Sequence, residues 1–258
     1  MFSHERHRAV VALLAEHQRL SVQDLERALK ASPATVRRDL RELERRGEVI
    51  RVHGGVIHPS FLDGEASWDH RRRDAVHGKA AIAARAAELV RAGQSVFIDA
   101  GTTCLDLARR LLPCNDVTLY TISVPVLDAA RTAHARVIAV GGEYRRADRA
   151  LVGGLAMDWL RNLRFDVGFI GAAGLAEKEG ASTTELREVA IKREVIRRST
   201  TPVLVADGSK WERPAAIRYA GWPEFKIWVT DAQSPAAGVR KVAAQGVKVI
   251  VAAQRKTS

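Results

Sequence analysis

The chain has 258 residues, a formal net charge of +11 and 47% apolar residues, enough for a sizeable core and for more than one domain. Two cysteines, Cys104 and Cys114, are too few for a disulfide framework and show no metal-ligand spacing, so neither metal nor cofactor is expected. The first residues lack the marks of a signal peptide and no apolar run approaches the ~18 residues of a membrane span, so the expectation is a soluble, cytoplasmic protein with no membrane partner.

Residues 6–16 place Val10, Leu13 and Leu14 at helical spacing and predict a first helix. Arg19, Leu20 and Ser21 form a short extended piece, with Ser21 placed to cap a second helix over 22–30 whose Leu25 and Leu29 share a face. A tight turn leads into the most informative stretch, residues 32–46. Ser32 suits the cap and Pro33 the first helical position, while Val36, Leu40 and Leu43 form an inward stripe. Arg37, Arg38 and Arg41 lie off that stripe, with Thr35 near the start. Two short helices joined by so short a turn are a helix-turn-helix, whose second helix enters the DNA major groove. An Arg/Glu-rich stretch taken alone is more often a solvated surface helix; its neighbours change that reading.

Gly47 is placed to end the helix. Apolar residues on either side of Gly54 and Gly55 predict two short strands, a wing that carries Arg51 and His53 toward phosphate or the minor groove. Residues 1–57 are therefore expected to be a winged helix-turn-helix domain that binds double-stranded DNA. Its candidate contacts are Ser21, Ser32, Thr35, Arg37, Arg38, Arg41, Arg51 and His53. A helical protein-docking module is the alternative. Overall charge adds little: the basic surplus is 3 over residues 1–58 and 8 over the other 200, so it is spread along the chain.

Residues 58–78 read as a linker, since Pro59, Gly64 and mixed polar residues interrupt all periodicity. From Lys79 to the end, helices predicted over 79–91, 103–112, 125–132, 150–163 and 185–198 alternate with strands. The strands are predicted over 95–99, 117–121, 135–140, 167–171, 203–207, 226–230 and 247–251. Apolar strands in this alternation predict an α/β domain over 79–258 with a mostly parallel sheet covered on both faces.

Such sheets bind ligands at the carboxyl ends of their strands. After the first strand comes Asp99, then Gly101, Thr102 and Thr103 running into a helix, a pattern suited to an anion. Later strand ends carry Gly141 and Gly142; Gly171 and Gly174; Gly180 to Thr183; and Asp207 with Ser209 and Lys210. Each piece alone is more often only a turn, and Lys210 alone a solvated loop lysine. One phosphate-bearing ligand explains them together, with Lys210 as cation and Asp99 or Asp207 accepting from hydroxyls. Glu188 and Lys192, one helical turn apart, join the candidate set, although a local ion pair accounts for them equally well. Cys104 opens a helix, where a thiolate is favoured, but with no histidine nearby it reads as a packing residue.

Taken together the chain resembles the DeoR family of bacterial transcriptional regulators. The head carries the resemblance at Ser32, Thr35 to Leu40, Arg51 and His53 to Gly55. The large domain carries it at Arg71, Lys79, Asp99, Gly101 to Thr103, Gly141, Gly142, Gly153, Gly171, Gly174 and Gly180, and again at Glu188, Lys192, Asp207, Ser209, Lys210, Thr230 and Asp231. The resemblance implies a winged head and a sugar-phosphate sensor related in fold to ribose-5-phosphate isomerase. It also implies an oligomer that represses a sugar-catabolic operon until a phosphorylated metabolite binds. Ile122 stands where the family has asparagine, and Glu212 where glycine commonly follows Ser-Lys. Trp68 before Arg71, with Arg187, Glu188 and Val189 before Lys192, leans toward the glycerol-3-phosphate repressor branch.

The rival reading is a sugar-phosphate isomerase with an appended DNA-binding head. Isomerisation needs a carboxylate base and a group to steady the enediolate. The segment that corresponds to the isomerases' Asp-Gly-Ala-Asp cluster is Gly171, Ala172, Ala173, Gly174, which has no acid. Binding without turnover is the expectation.

Overall fold

The computed structural model describes residues 2–17, 19–52, 55–57 and 68–253. The chain divides into two compact units, Met1–Asp74 and Ala75–Ser258.

In the first unit, α1 (Ser3–His17) is followed by β1 (Arg19–Ser21), α2 (Val22–Leu29), α3 (Pro33–Arg45), β2 (Ile50–Val52), β3 (Gly55–Ile57) and α4 (Trp68–Arg73). Val10, Leu14, Leu25, Leu29, Val36, Leu40, Leu43, Val49 and Val56 form its core; the first seven are positions that the helical spacing picks out, while Leu13, on the same pattern, is only partly buried. The wing has three strands in the order β1-β3-β2, because the extended piece before α2 pairs with β3, Leu20 opposite Val56. Of the expected linker, residues 58–67 lie outside the described residues. Its remainder is helical rather than irregular: α4 covers 68–73, and α5 (Val76–Ala87) has begun by residue 78. A helical start without any apolar repeat before it leaves no periodic signal, which is why the sequence reads as unstructured there.

The second unit is a seven-stranded sheet, parallel throughout. After α5 come β4 (Ser95–Ile98), α6 (Thr102–Leu111), β5 (Thr118–Thr121), α7 (Val124–Ala129), β6 (Arg136–Ala139), β7 (Glu143–Arg145), β8 (Ala150–Val152) and α8 (Gly154–Asn162). Then follow β9 (Phe165–Gly171), β10 (Gly174–Ala176), β11 (Gly180–Thr183), α9 (Leu186–Arg198), β12 (Ser199–Val205), β13 (Ile217–Ala220), β14 (Ile227–Asp231), α10 (Ala236–Ala243) and β15 (Lys248–Ala252). The order β15-β14-β12-β9-β4-β5-β6 shows the chain stepping outward from β4 to β6, then restarting at β9 on the other side of β4. The gap between β4 and β9 is thus the topological switch point, where open parallel sheets form their ligand crevice.

Two features depart from expectation. A single helix over 150–163 is in fact β8 followed by α8, because Gly153 takes a φ of +95° that no L side chain holds comfortably and so separates strand from helix. Two small antiparallel sheets, β7-β8 and β10-β11-β13, decorate the parallel one.

Candidate functional site

The cap of α3 forms as its composition dictates. Ser32 Oγ accepts from the Thr35 backbone N–H at 3.3 Å and lies 2.9 Å from Thr35 Oγ1. Val36, Leu40 and Leu43 are buried, and Arg37, Arg38 and Arg41 are exposed. The arginines then divide by partner. Arg45 and Arg46 each reach Glu42 at 2.8 Å, so the arginines of the C-terminal turn share one carboxylate. Arg37 and Arg38 form no ion pair with any described residue, and Arg41 Nε donates to the Arg37 carbonyl at 3.3 Å. The uncommitted positive charge is therefore at the N-terminal half of α3, where a recognition helix touches bases.

Next to it lies an open cleft of about 630 Å³, lined by Ser21, Gln23, Glu26, Pro33, Arg37 and Arg51 among others. Ser21 Oγ is occupied in the cap of α2, accepting from the Asp24 N–H at 3.1 Å and donating to its carboxylate at 2.6 Å. Arg51 on β2 is exposed and sits 3.6 Å from Glu44. His53 lies outside the described residues.

Asp39, which the sequence singled out only as part of a family pattern, holds this helix in place. Its buried carboxylate accepts from Arg6 Nε at 2.7 Å, Arg6 Nη2 at 3.1 Å and His7 Nε2 at 3.1 Å, tying α3 to α1. Burial pulls its pKa up, but the bonds from Arg6 and His7 outweigh that and hold it below the usual carboxylate range. A signal was present in the sequence: three residues after Val36, an acid falls on the inward face and needs a partner there.

In the second unit the switch point carries a buried charge cluster. Asp99 follows β4; its Oδ2 accepts from Gly171 N–H at 3.0 Å and from Lys192 Nζ at 2.5 Å, and its Oδ1 accepts from Ala100 N–H at 2.8 Å. Lys192 Nζ also donates to the Gly171 carbonyl at 3.1 Å, lies 3.9 Å from Glu188 and sits 5.4 Å from the centre of the Tyr219 ring. Thr183 Oγ1 donates to Glu188 at 2.7 Å, and Tyr219 OH to the Gly171 carbonyl at 2.8 Å. Burial works against a charge on Lys192, yet Asp99 and Glu188 beside it raise its pKa, so the ammonium persists. Glu188 and Lys192 are thus no mere local pair. Lys192 joins its own helix to the end of β4.

Next to Asp99, Gly101 caps α6 with a φ of +119°, and nothing lies within 4 Å of where a side chain would begin. The bend before Thr102 and Thr103 is open, with the first-turn N–H groups of α6 around it.

Other members of the expected rim serve the fold. A side chain on Gly174 would meet the Arg213 carbonyl at 2.0 Å, and one on Gly142 the Val152 carbonyl at 2.6 Å, so both permit close backbone packing. The polar groups of Gly171 are used by Asp99, Lys192 and Tyr219. Asp207 turns inward on its own loop, where its Oδ1 accepts from Ser209 N–H at 3.1 Å and from the Ser209 hydroxyl. Lys210, half-buried, makes no ion pair with any described residue. Tyr219 was not singled out, because it sits on β13, in one of the unexpected sheets.

Cys104 is buried, and burial together with Asp99 pushes its thiol well above the ordinary range. Desolvation overrides the helix dipole, and the residue is packing. Ile122 points into the apolar core beside Val140, Ala150 and Val152. Glu212 adopts a left-handed φ of +52°, the reason that glycine suits this position, and its Oε1 accepts from the Glu177 N–H at 2.8 Å.

The DeoR C terminal sensor domain matches residues 74–232 and the DeoR-like helix-turn-helix domain residues 6–60. The HTH-type transcriptional regulator GlpR of Haloferax volcanii is 34% identical over 97% of this chain and 98% of its own length. The glycerol-3-phosphate regulon repressor of Escherichia coli is 30% identical over 90% of this chain and 92% of its own. Among solved structures, ribose 5-phosphate isomerase A from Methanocaldococcus jannaschii is similar over 52% of this chain and 53% of its own, with 18% identity and a TM-score of 0.39. Full-length likeness to regulators also decides against the isomerase alternative, and no helix among the described residues is long and apolar enough to cross a membrane. The chain belongs to the DeoR family of DNA-binding transcriptional regulators and is not an enzyme.

Proposed function

We propose that this regulator represses a carbohydrate or polyol catabolic operon and is released by a phosphorylated sugar or polyol. The observation that carries the sensing half is the buried Asp99–Lys192 pair at the switch point, beside the open N-terminus of α6. A buried carboxylate can accept from sugar hydroxyls and a buried ammonium can donate to them. The helix start favours a phosphate. Lys210, with no ion pair among the described residues, adds a cation on a neighbouring strand end. Asp99, Gly101, Thr102, Thr103, Glu188 and Lys192 form the centre of this assignment, while Gly142, Gly171, Gly174, Asp207 and Ser209 shape the rim. The name of the Escherichia coli relative makes glycerol 3-phosphate the first compound to try.

Residues 1–57 read the operator and residues 79–258 sense and assemble. Thr35, Arg37, Arg38 and Arg41 face bases and phosphates, Ser21 and Ser32 hold the caps, and Arg51 and His53 brace the wing. Half-sites lie about 34 Å apart along DNA, so the working species is at least a homodimer. It acts where the chromosome is, in the cytoplasm. Ligand must prefer the arrangement that does not fit DNA, because equal affinity for both arrangements shifts nothing.

A thermal-shift screen of phosphorylated sugars and polyols, including glycerol 3-phosphate and ribose 5-phosphate, tests the sensing half. The expected result is a raised melting temperature with the compound recovered unchanged. No shift with any phosphorylated compound contradicts it.

A further inference from the structure

One buried side chain at the carboxyl edge of the parallel sheet has a hydrogen-bonding group that the fold leaves idle. Ser123 follows β5 and is 1% exposed, and its Oγ has no hydrogen-bond partner among the described residues. The backbone of the same residue is engaged at both ends. Its N–H donates to Thr121 Oγ1 at 3.0 Å, and its carbonyl accepts from the Val126 and Leu127 N–H groups, both at 3.1 Å.

The cause is local. Ser123 is the cap residue of α7, where a serine hydroxyl ordinarily accepts from the second or third N–H of the helix. Here the second residue is Pro125, which has no N–H, and the third, Val126, has given its N–H to the Ser123 carbonyl. The Val124 N–H is taken by the Arg149 carbonyl at 2.9 Å. No N–H of the first turn is left for Oγ, and a buried hydroxyl without a partner is destabilising. Alanine would fill the position at less cost, so the hydroxyl points to a partner outside the chain.

Strand register locates that partner. β5 runs parallel to β4 with Thr121 beside Ile98, so Ser123, two residues on, falls level with Ala100 and next to the Gly101 bend. Alternation puts Ser123 on the face of Thr121 and opposite that of Ile122. Ile122 enters the core shared with α8 and α9, whereas α6 packs with α5 across the other face. The idle hydroxyl and the open start of α6 therefore meet at one place.

We propose that Ser123 Oγ donates to the phosphate of the bound ligand, completing the set of N–H donors at the start of α6. With no bond to break, a change of χ1 rotamer suffices to turn the hydroxyl onto an oxygen at the bend. Its neighbours cannot serve: Thr121 Oγ1 already donates to the Ile98 carbonyl at 2.8 Å, and Ile122 is apolar. A phosphate dianion is the chemistry that fits, because it only accepts and every group offered at the bend donates.

This inference rests on the proposed sensing of a phosphorylated compound and names a further donor in that site. Thermal-shift titration of the full chain with glycerol 3-phosphate, ribose 5-phosphate and inorganic phosphate is the test, with wild type and Ser123→Ala side by side. Without ligand, Ser123→Ala is expected to melt no lower than wild type, because it removes an unpaired buried atom. Each phosphate that stabilises wild type is expected to need about tenfold more to stabilise the variant equally, the loss that fits one hydrogen bond to a charged oxygen. A variant whose dose response matches wild type overturns the role of Ser123 and leaves the sensing reading standing. So does a variant that melts clearly lower without ligand, since the hydroxyl would then have its partner within the fold. A wild type that responds to none of the three overturns the sensing reading and this donor with it.

Discussion

Lys192 Nζ lies 2.5 Å from Asp99 Oδ2, although 93 residues separate the two in the chain. The bond joins α9 to the end of β4 across the switch point. Removing one member of a buried pair strands the other charge, which costs about 3–5 kcal/mol. Lys192→Met is therefore expected to destabilise the second unit by that amount in urea unfolding. The pH dependence has a definite sign. The folded pKa of Lys192 is raised, so its contribution is complete below the unfolded value of about 10.4 and is lost as pH climbs through the folded value. Stability of wild type should fall above about pH 10 more steeply than that of Lys192→Met.

Asp39 gives the opposite sign. Its folded pKa is lowered, so its contribution is complete above the unfolded value near ~3.9 and is lost as pH falls through the folded value. Asp39→Asn is expected to cost about 1–3 kcal/mol, seen in unfolding followed on the head, and to flatten its acid limb. Operator affinity is expected to drop as well, since α3 then loses its anchor on α1.

The arginines of α3 are expected to separate in a shift assay. Arg37→Ala and Arg38→Ala should each weaken operator binding by ~1–3 kcal/mol, whereas Arg45→Ala, whose charge is already met by Glu42, should leave it nearly unchanged. Equal losses at all three positions would show that total charge matters and that placement does not.

Asp231 sits between Gly78 of α5 and the loop that carries Lys210. Its Oδ1 accepts from Gly208 N–H at 2.9 Å, while a side chain added at Gly78 would meet its Oδ2 at 2.2 Å. Gly78→Ala is expected to displace the carboxylate and lower the melting temperature. It should also weaken the response to a phosphorylated ligand more than it weakens operator binding, as measured by thermal shift with and without ligand.

Residues with short-range causes were legible. The Ser32 cap, the Val36, Leu40 and Leu43 stripe and the apolar run 167–171 of β9 each follow from neighbours within one turn or one strand. Tertiary partners were not. Glu188 and Lys192 invite an i,i+4 pairing, and nothing local to Lys192 points to Asp99. The strands β7, β8, β10, β11 and β13 have three or four residues each, too few for an alternating pattern to stand out. Tyr219 went unremarked for that reason, and Gly153 hid a strand-to-helix break inside an apparently helical run. The glycines at 142 and 174 read as ligand cradle from sequence, whereas backbone proximity requires them.

The proposed switch requires two separate surfaces, a cationic helix and a buried-charge crevice, to be coupled. Fluorescence anisotropy with a DNA fragment selected by the protein from a random pool tests it directly, with glycerol 3-phosphate, ribose 5-phosphate and other phosphorylated polyols as titrants. One of these is expected to release wild type from the fragment, whereas Lys210→Ala is expected to bind the fragment like wild type without being released. If no phosphorylated compound changes the affinity, or if Lys210→Ala is released as readily as wild type, the coupling is contradicted.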